Sequence, residues 1–319
     1  MRALREIANV AFALVVLVAR VVLVAADAPA AAPRDSLVVS TAWLAQHLHD
    51  RNLVLLHLGD KSKYAVQHIP GARYVQPELD DPPDGRSLVQ LSPGVIRDRL
   101  AAAGISNNSR IVIYYDRDFG DFVSPATRLM FTLDFAGLGH AASLLDGGML
   151  AWTREGREVT REVPPVRVGT LSPLKMRPIV VDAEYVLTHL KTSHSAIVDA
   201  RGSSFYDGVQ TGGRKDNPQR AGHIAGAHSV PFSMITDDQF MLRSPQELEA
   251  IFTNAGVKPG DTVIGYCHVG QQATATLFAA RLLGHPVLLY DGSFKDWSQH
   301  PDYPVDNPAK KGGGHIGPR

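Results

Sequence analysis

The sequence predicts an α/β protein of two tandem domains, each a mostly parallel sheet flanked by helices. Two observations carry that expectation. Laid against itself, the 319-residue chain repeats three motifs in the same order. QHIPGARYVQP at 67–77 matches GHIAGAHSVPF at 222–232, RIVIYYD ending at Asp116 matches TVIGYC ending at Cys267, and LLDGGMLAW at 144–152 matches LYDGSFKDW at 289–297. The offsets drift from 155 through 151 to 145, as a duplicated unit with loop insertions and deletions would. In addition, short apolar runs alternate with helix-like segments, the pattern of parallel sheets covered on both faces.

The elements follow in order. Residues 1–26 carry Arg2 and Arg5, then an apolar run, then small residues before Asp27, which is the layout of a secretory signal with cleavage after Ala26. Ile7 to Ala26 is also long enough to remain as a membrane anchor. The folded part is therefore expected to be exported, periplasmic or extracellular, or else held at the membrane by residues 7–26. The first repeat spans 36–155. A linker over 156–178 follows, rich in proline and without amphipathic period. The second repeat, 179–305, holds the apolar runs AIVDA, HSVPF, TVIGY and VLLY as strands. Between them SPQELEAIFTNAG begins with Ser244 as N-cap and Pro245 at the first helical position, and both intervening helices end at glycine, Gly256 and Gly284. The tail 306–319 has little apolar surface and is expected to be disordered.

Charge and cysteine content narrow the function. Thirty-two basic residues balance thirty-two acidic ones, which argues against a nucleic-acid binder with a basic surface. The single cysteine, Cys267, excludes an internal disulfide, so the core must hold the fold. His189, His194 and the other scattered histidines form no metal-ligand pattern, and neither a metal nor another cofactor is expected.

Cys267 lies where a strand over Thr262–Tyr266 turns into a helix that begins near Ala273. Such turns leave backbone N–H groups unpaired and favour an anion, and ligands in parallel sheets bind beyond the carboxyl ends of the strands. A thiol of pKa ~8.5 is only about 3% ionised at pH 7, and lowering it by about two units, roughly 2.7 kcal/mol, makes it mostly thiolate. A lone cysteine is more often a small buried hydrophobe. The strand-end position, Gly270, and the polar His268, Gln271 and Gln272 favour a nucleophile. In a Cys-x5-Arg phosphatase loop the arginine would stand where this chain has Ala273, so no phosphate clamp is present. A papain-like site needs a histidine base, and nothing in the sequence brings His223 or His228 to Cys267. What remains is a thiolate in an anion-holding turn without a dedicated base, which suits attack on sulfane sulfur.

The motifs HIPGA, IVIYYD, LLDGG with Trp152, then HIAGA, the YC turn and YDGSFKDW with Trp297, resemble the tandem-domain rhodanese sulfurtransferases from about Val38 to Pro304. The resemblance implies a non-catalytic first domain with Asp116 in place of the cysteine, and a catalytic second domain. It implies that Cys267 accepts sulfur as a persulfide and that His268, Val269, Gly270, Gln271 and Gln272 complete the active-site loop. Arg201, in VDARG, matches a family arginine near the substrate and is expected to hold the donor's anionic end. Thiosulfate-using members resemble C-R-K-G-V-T and mercaptopyruvate-using members C-G-S-G-V-T. His268 and Val269 fit neither pattern, and a protonated His268 gives thiosulfate a slight lead. The expected partners are a small anionic sulfur donor and a thiophilic acceptor such as cyanide. The alternatives are 3-mercaptopyruvate as donor, a non-catalytic sulfur-carrier or binding module, or a Cys-based phosphatase or arsenate-type enzyme. His68 and Asp60 also resemble a pair in mercaptopyruvate members. Because H-I-x-G-A recurs in both copies, His68 and His223 are better read as fixing their own loops, and Trp152 and Trp297 as packing.

Overall fold

The computed structural model describes residues 34–75, 91–116 and 123–311. The leader or anchor expected at 1–26 lies outside them, as does the tail beyond 311. Strands β1 (Val38–Val39), β2 (Leu53–Leu58), β3 (Arg73–Val75), β4 (Arg110–Tyr115) and β5 (Ala142–Leu145) form a parallel sheet in the order β1-β5-β4-β2-β3. The second half contributes β6 (Val180–Val181), β7 (Ser195–Asp199), β8 (Gly213–Arg214), β9 (Asn217–Pro218), β10 (His223–Ile224), β11 (His228–Ser229), β12 (Thr262–Tyr266), β13 (Val287–Tyr290) and β14 (Val305–Asp306). Its parallel sheet runs β11-β7-β12-β13-β6, which read from β6 repeats the first sheet's order strand for strand. The short β8–β9 and β10–β14 pairs are antiparallel.

Two helices lie at the centre. Ser124–Phe135 follows β4 and all its residues are buried, while Ala273–Leu282 follows β12 and is buried through Ala280. Helices buried on nearly every side lie inside a protein, and these two cover each other. The hydroxyls of Thr127 and Thr274 meet at 3.0 Å, and Arg281 pairs with Asp134 at 3.2 Å. Ala126-Thr127, Phe131 and Gly137 of the first helix correspond to Ala273-Thr274, Phe278 and Gly284 of the second at a constant offset of 147. One apolar cluster consequently runs through both halves, from Leu56 and Ile113 to Val263, Leu277 and Leu289, and it includes Cys267. Smaller clusters fill the outer face of each sheet, with Trp152 and Tyr114 in one and Trp297 and Tyr266 in the other.

Local chemistry sets the element ends. Ser244 caps Pro245–Asn254 in a reciprocal box with Glu247, and Gly256 and Gly284 take left-handed φ of +96° and +89°. The run HSVPF forms a strand only at His228–Ser229, because Pro231 lacks an N–H for the ladder and Phe232–Met234 turns into a 3-10 helix. The segment 156–178 is extended along the first half, where Thr160 and His68 exchange backbone hydrogen bonds and Gly169 donates to Ala101. The expectation of a disordered tail from 306 is corrected. Asp306 pairs with His223, Pro308–Lys311 is helical, and the Ala309 N–H donates to the Asp207 carbonyl at 2.8 Å. Among the described residues no helix is long and apolar enough to cross a membrane.

A second correction concerns the first copy's counterpart of Cys267. The Tyr114 hydroxyl accepts the Ile69 N–H, and the Tyr266 hydroxyl accepts the equivalent Ile224 N–H. Tyr114 is in register with His57, and Tyr266 with Asp199. Tyr114 therefore answers to Tyr266, Tyr115 to Cys267, and Asp116 to His268. Tyr115, not Asp116, stands where the nucleophile would be, and its hydroxyl donates to the Phe240 carbonyl.

The same register pairs His57 with Asp199. His57 is fully buried among Tyr64, Tyr74 and Tyr114, and neither ring nitrogen has a hydrogen-bond partner. Burial, with the neighbouring His68 adding to it, lowers its pKa to about 4. A depressed histidine pKa gives stability that is complete above ~6.5 and is lost as pH falls towards 4, by about 3 kcal/mol for this ring. Urea unfolding at pH 7.0 and 4.5 should show this part of the acid loss in the wild type but not in His57→Phe. An equal acid loss in both would contradict it.

Candidate active site

Strand β12 ends at Tyr266 and delivers Cys267 to the turn, where the side chain is wholly buried. The N–H groups of Ala273, Val269, Gly270 and Gln272 are directed at its sulfur. Gly270 makes this cup possible: its φ is +86°, and a Cβ there would lie 2.8 Å from both the carbonyl and Oδ1 of Asp291. The other side of Cys267 is held by the segment after β13. The Cys267 N–H donates to Ser293 Oγ (3.1 Å), Ser293 Oγ donates to the Tyr290 carbonyl (2.9 Å), and the Phe294 N–H donates to the Cys267 carbonyl (3.0 Å). Ser293 keeps the left-handed φ of its counterpart Gly148, +55° against +52°, so the second copy accepts backbone strain and places a hydroxyl under the cysteine.

The electrostatics differ from the sequence expectation. Burial raises the Cys267 pKa and the four amides oppose it, and burial wins. The cup of donors is present, but it does not by itself make the resting thiol anionic. The segment leading through β8 and β9 lies against the next residue, His268. A Cβ on Gly212 would be 2.5 Å from both His268 Nδ1 and Gln219 Oε1. Gln219 Nε2 donates to the His268 carbonyl (3.4 Å), so its Oε1 accepts from His268 Nδ1–H (3.0 Å), and the Phe205 ring meets His268 edge-on. His268 is half-buried, Gln271 and Gln272 likewise, and Val269 is 52% exposed at the rim.

Arg201 is not a free clamp. It is 1% exposed, with Nε and Nη2 on Asp199 and Nη2 also on the Gly222 carbonyl at 2.7 Å. Tyr266 OH donates to the same Asp199, and the guanidinium lies over the Phe294 ring at 4.0 Å. Burial works against its charge, but the Asp199 hydrogen bonds and charge outweigh it and raise the pKa, with Cys267 close enough to contribute. The other histidines are committed elsewhere. His68 and His223 stack on Tyr64 and Tyr206 and bond their carbonyls, and His228 bonds the Ala255 carbonyl. Trp152 and Trp297 are core. Among the described residues no three His, Cys, Asp or Glu side chains gather as a metal site.

Three residues of the site escape a reading of the sequence. Ser293 had a signal, since DGS replaces DGG of the first copy. Gln219 had none. Arg128, on the first half's central helix, donates from Nη1 to the Gly270 carbonyl (3.1 Å) and to Asp291 Oδ1 (2.8 Å), with both side chains nearly inaccessible.

The architecture and a lone cysteine in a strand-to-helix turn define a class, that of duplicated α/β domains with the cysteine loop in one copy. Each half matches the Rhodanese-like domain, over residues 40–155 and 182–300. The chain belongs to the rhodanese family and is a tandem-domain sulfurtransferase. It is 31% identical over 280 residues to the thiosulfate sulfurtransferase of Rattus norvegicus, covering 82% of this chain and 91% of that protein. A thiosulfate sulfurtransferase of Pseudomonas aeruginosa is 31% identical, over 85% and 97% respectively. The sulfur carrier protein TtuD of Thermus thermophilus is 30% identical, over 84% and 96%. Among solved structures, an anaerobic ergothioneine biosynthesis enzyme from Chlorobium limicola shares the fold, with a TM-score of 0.75 at 23% identity over 85% of this chain and 70% of that one.

Proposed function

We propose that the enzyme moves sulfane sulfur from thiosulfate to a thiophilic acceptor such as cyanide through a persulfide on Cys267. The observation that carries this reading is the set of four backbone N–H groups aimed at the only sulfhydryl of the chain. Entry of the anionic donor displaces the cover over His268, hydrates the sulfur and removes much of the burial that keeps it protonated; the proton leaves to water. The thiolate attacks the outer sulfur of thiosulfate, the S–S bond breaks, and sulfite departs with the bonding pair. The outer sulfur then carries the negative charge inside the amide cup. Cyanide attacks it, thiocyanate leaves, and the Cys267 thiolate is regenerated. Arg201 serves as a fixed positive charge beside the reaction, and His268 at the rim adds charge when protonated.

The names of the rat and Pseudomonas relatives support thiosulfate as donor. The Thermus relative favours a second reading, a carrier whose persulfide is handed to another protein. Intact-mass measurement after thiosulfate, and separately after mercaptopyruvate, decides among these. Gain of one sulfur atom from thiosulfate, lost again on cyanide, is expected. A gain only from mercaptopyruvate reassigns the donor, a sulfur that cyanide does not remove favours the carrier, and no gain from either removes the proposal. Export, or anchoring through residues 7–26, rests on the sequence of the leader alone. Sequencing the N-terminus of the protein purified from its source checks it, with a start near Asp27 expected for cleavage.

A further inference from the structure

We propose that Arg128, supplied by the first domain, is a positioning residue for the sulfur-holding loop of the second, so that the non-catalytic half forms part of the active site. This rests on the assignment of Cys267 as the sulfur acceptor. Arg128 bonds the Gly270 carbonyl and Asp291 at once, and both partners belong to the second half. Gly270 is the left-handed residue of the loop, and its N–H is one of the four aimed at the Cys267 sulfur. Asp291 walls the loop where a Gly270 side chain would go. The guanidinium therefore pins the peptide after Gly270 against that wall and keeps the amide side of the turn inward.

The repeat separates this role from a demand of the fold. At the offset of 147 that relates the central helices, Arg128 answers to Ala275. Asp291 answers to Asp146, which in the first half accepts the Leu242 N–H at 2.8 Å. The arginine of this contact therefore has no counterpart on the central helix of the second half. The loop that carries Cys267 receives this cation from the opposite half.

Among the described residues the groups facing the sulfur loop are Arg201 with Asp199 from one side, His268 at the rim, and Arg128 with Asp291 from the other. Removing Arg128 takes a cation from beside the cup and frees the Gly270 turn. Both effects raise the ionisation point of Cys267. The test is the pH profile of Cys267 alkylation by iodoacetamide in the full-length protein, with kcat and KM measured alongside. Arg128→Met is expected to move the apparent pKa up by about one unit or more and lower kcat about tenfold, with KM changed less than threefold. Arg128→Lys keeps the charge but reaches one partner at a time, and should fall between wild type and Arg128→Met. Arg281→Met, which breaks the ion pair between the two central helices, is expected to lower the melting temperature without moving the alkylation profile. A folded Arg128→Met with a wild-type profile overturns the proposal. If that variant does not fold, a wild-type profile for Arg128→Lys overturns it equally. Failure of sulfur transfer itself would show instead as a wild-type protein that forms no thiocyanate, whatever its alkylation profile.

Discussion

Cys267→Ser will fold and take up no sulfur. The serine hydroxyl is close in size to the thiol and enters a cup of four N–H donors, so its oxygen is hydrogen-bonded and the stability change should stay within about 2 kcal/mol. Chemistry is affected far more. A serine hydroxyl is hardly ionised near neutrality, and no base in the described site is poised to take its proton, so attack on sulfane sulfur stops. Thiocyanate formation should drop on the order of 10⁴-fold or to background. A parallel Tyr115→Phe variant in the first copy loses one hydrogen bond to Phe240 and should retain turnover. Comparable activity loss in both variants would contradict the assignment of a single live loop.

Arg201→Met should damage the fold rather than substrate affinity. Asp199 is fully buried and receives Arg201 Nε and Nη2, the Arg201 N–H and the Tyr266 hydroxyl. Taking away the cation leaves a buried carboxylate without its counter-charge, a loss of about 3–5 kcal/mol. Denaturant midpoints at pH 7 would measure it. The double variant Asp199→Leu/Arg201→Met removes the stranded charge as well and should recover part of the loss. A donor-clamp role makes the opposite forecast: an unchanged midpoint with a large rise in KM for thiosulfate. That result would restore Arg201 to the substrate.

The sequence carried the fold because its signals were redundant. Three motifs in one order, a capping box at Ser244 and paired helix-ending glycines all point to the same duplicated sheet. It failed at a single residue of register. IVIYYD and VIGYC both offer a tyrosine before the key position, and a slip of one in a strand exchanges the two faces. Tyr114 belongs to the outer cluster and Tyr115 to the central one with Cys267, a distinction visible only once Ile69 and Ile224 are seen on equivalent hydroxyls. In the site, Cys267 and its amide cup were readable because strand, turn and helix are contiguous. The burial that outweighs them was not, since it depends on how distant segments pack over the turn, and neither was the arginine that arrives from the other repeat.

The all-buried helix Ser124–Phe135 has a consequence for biogenesis. The ribosome completes the first repeat well before Ala273–Ala280 emerge to sheathe that helix, and until then its apolar flank faces solvent. The nascent first repeat is thus an adhesive species, prone to pair with the wrong neighbour or to require a chaperone. Severing the chain within 156–178 should leave two fragments that aggregate apart and are rescued when synthesised together.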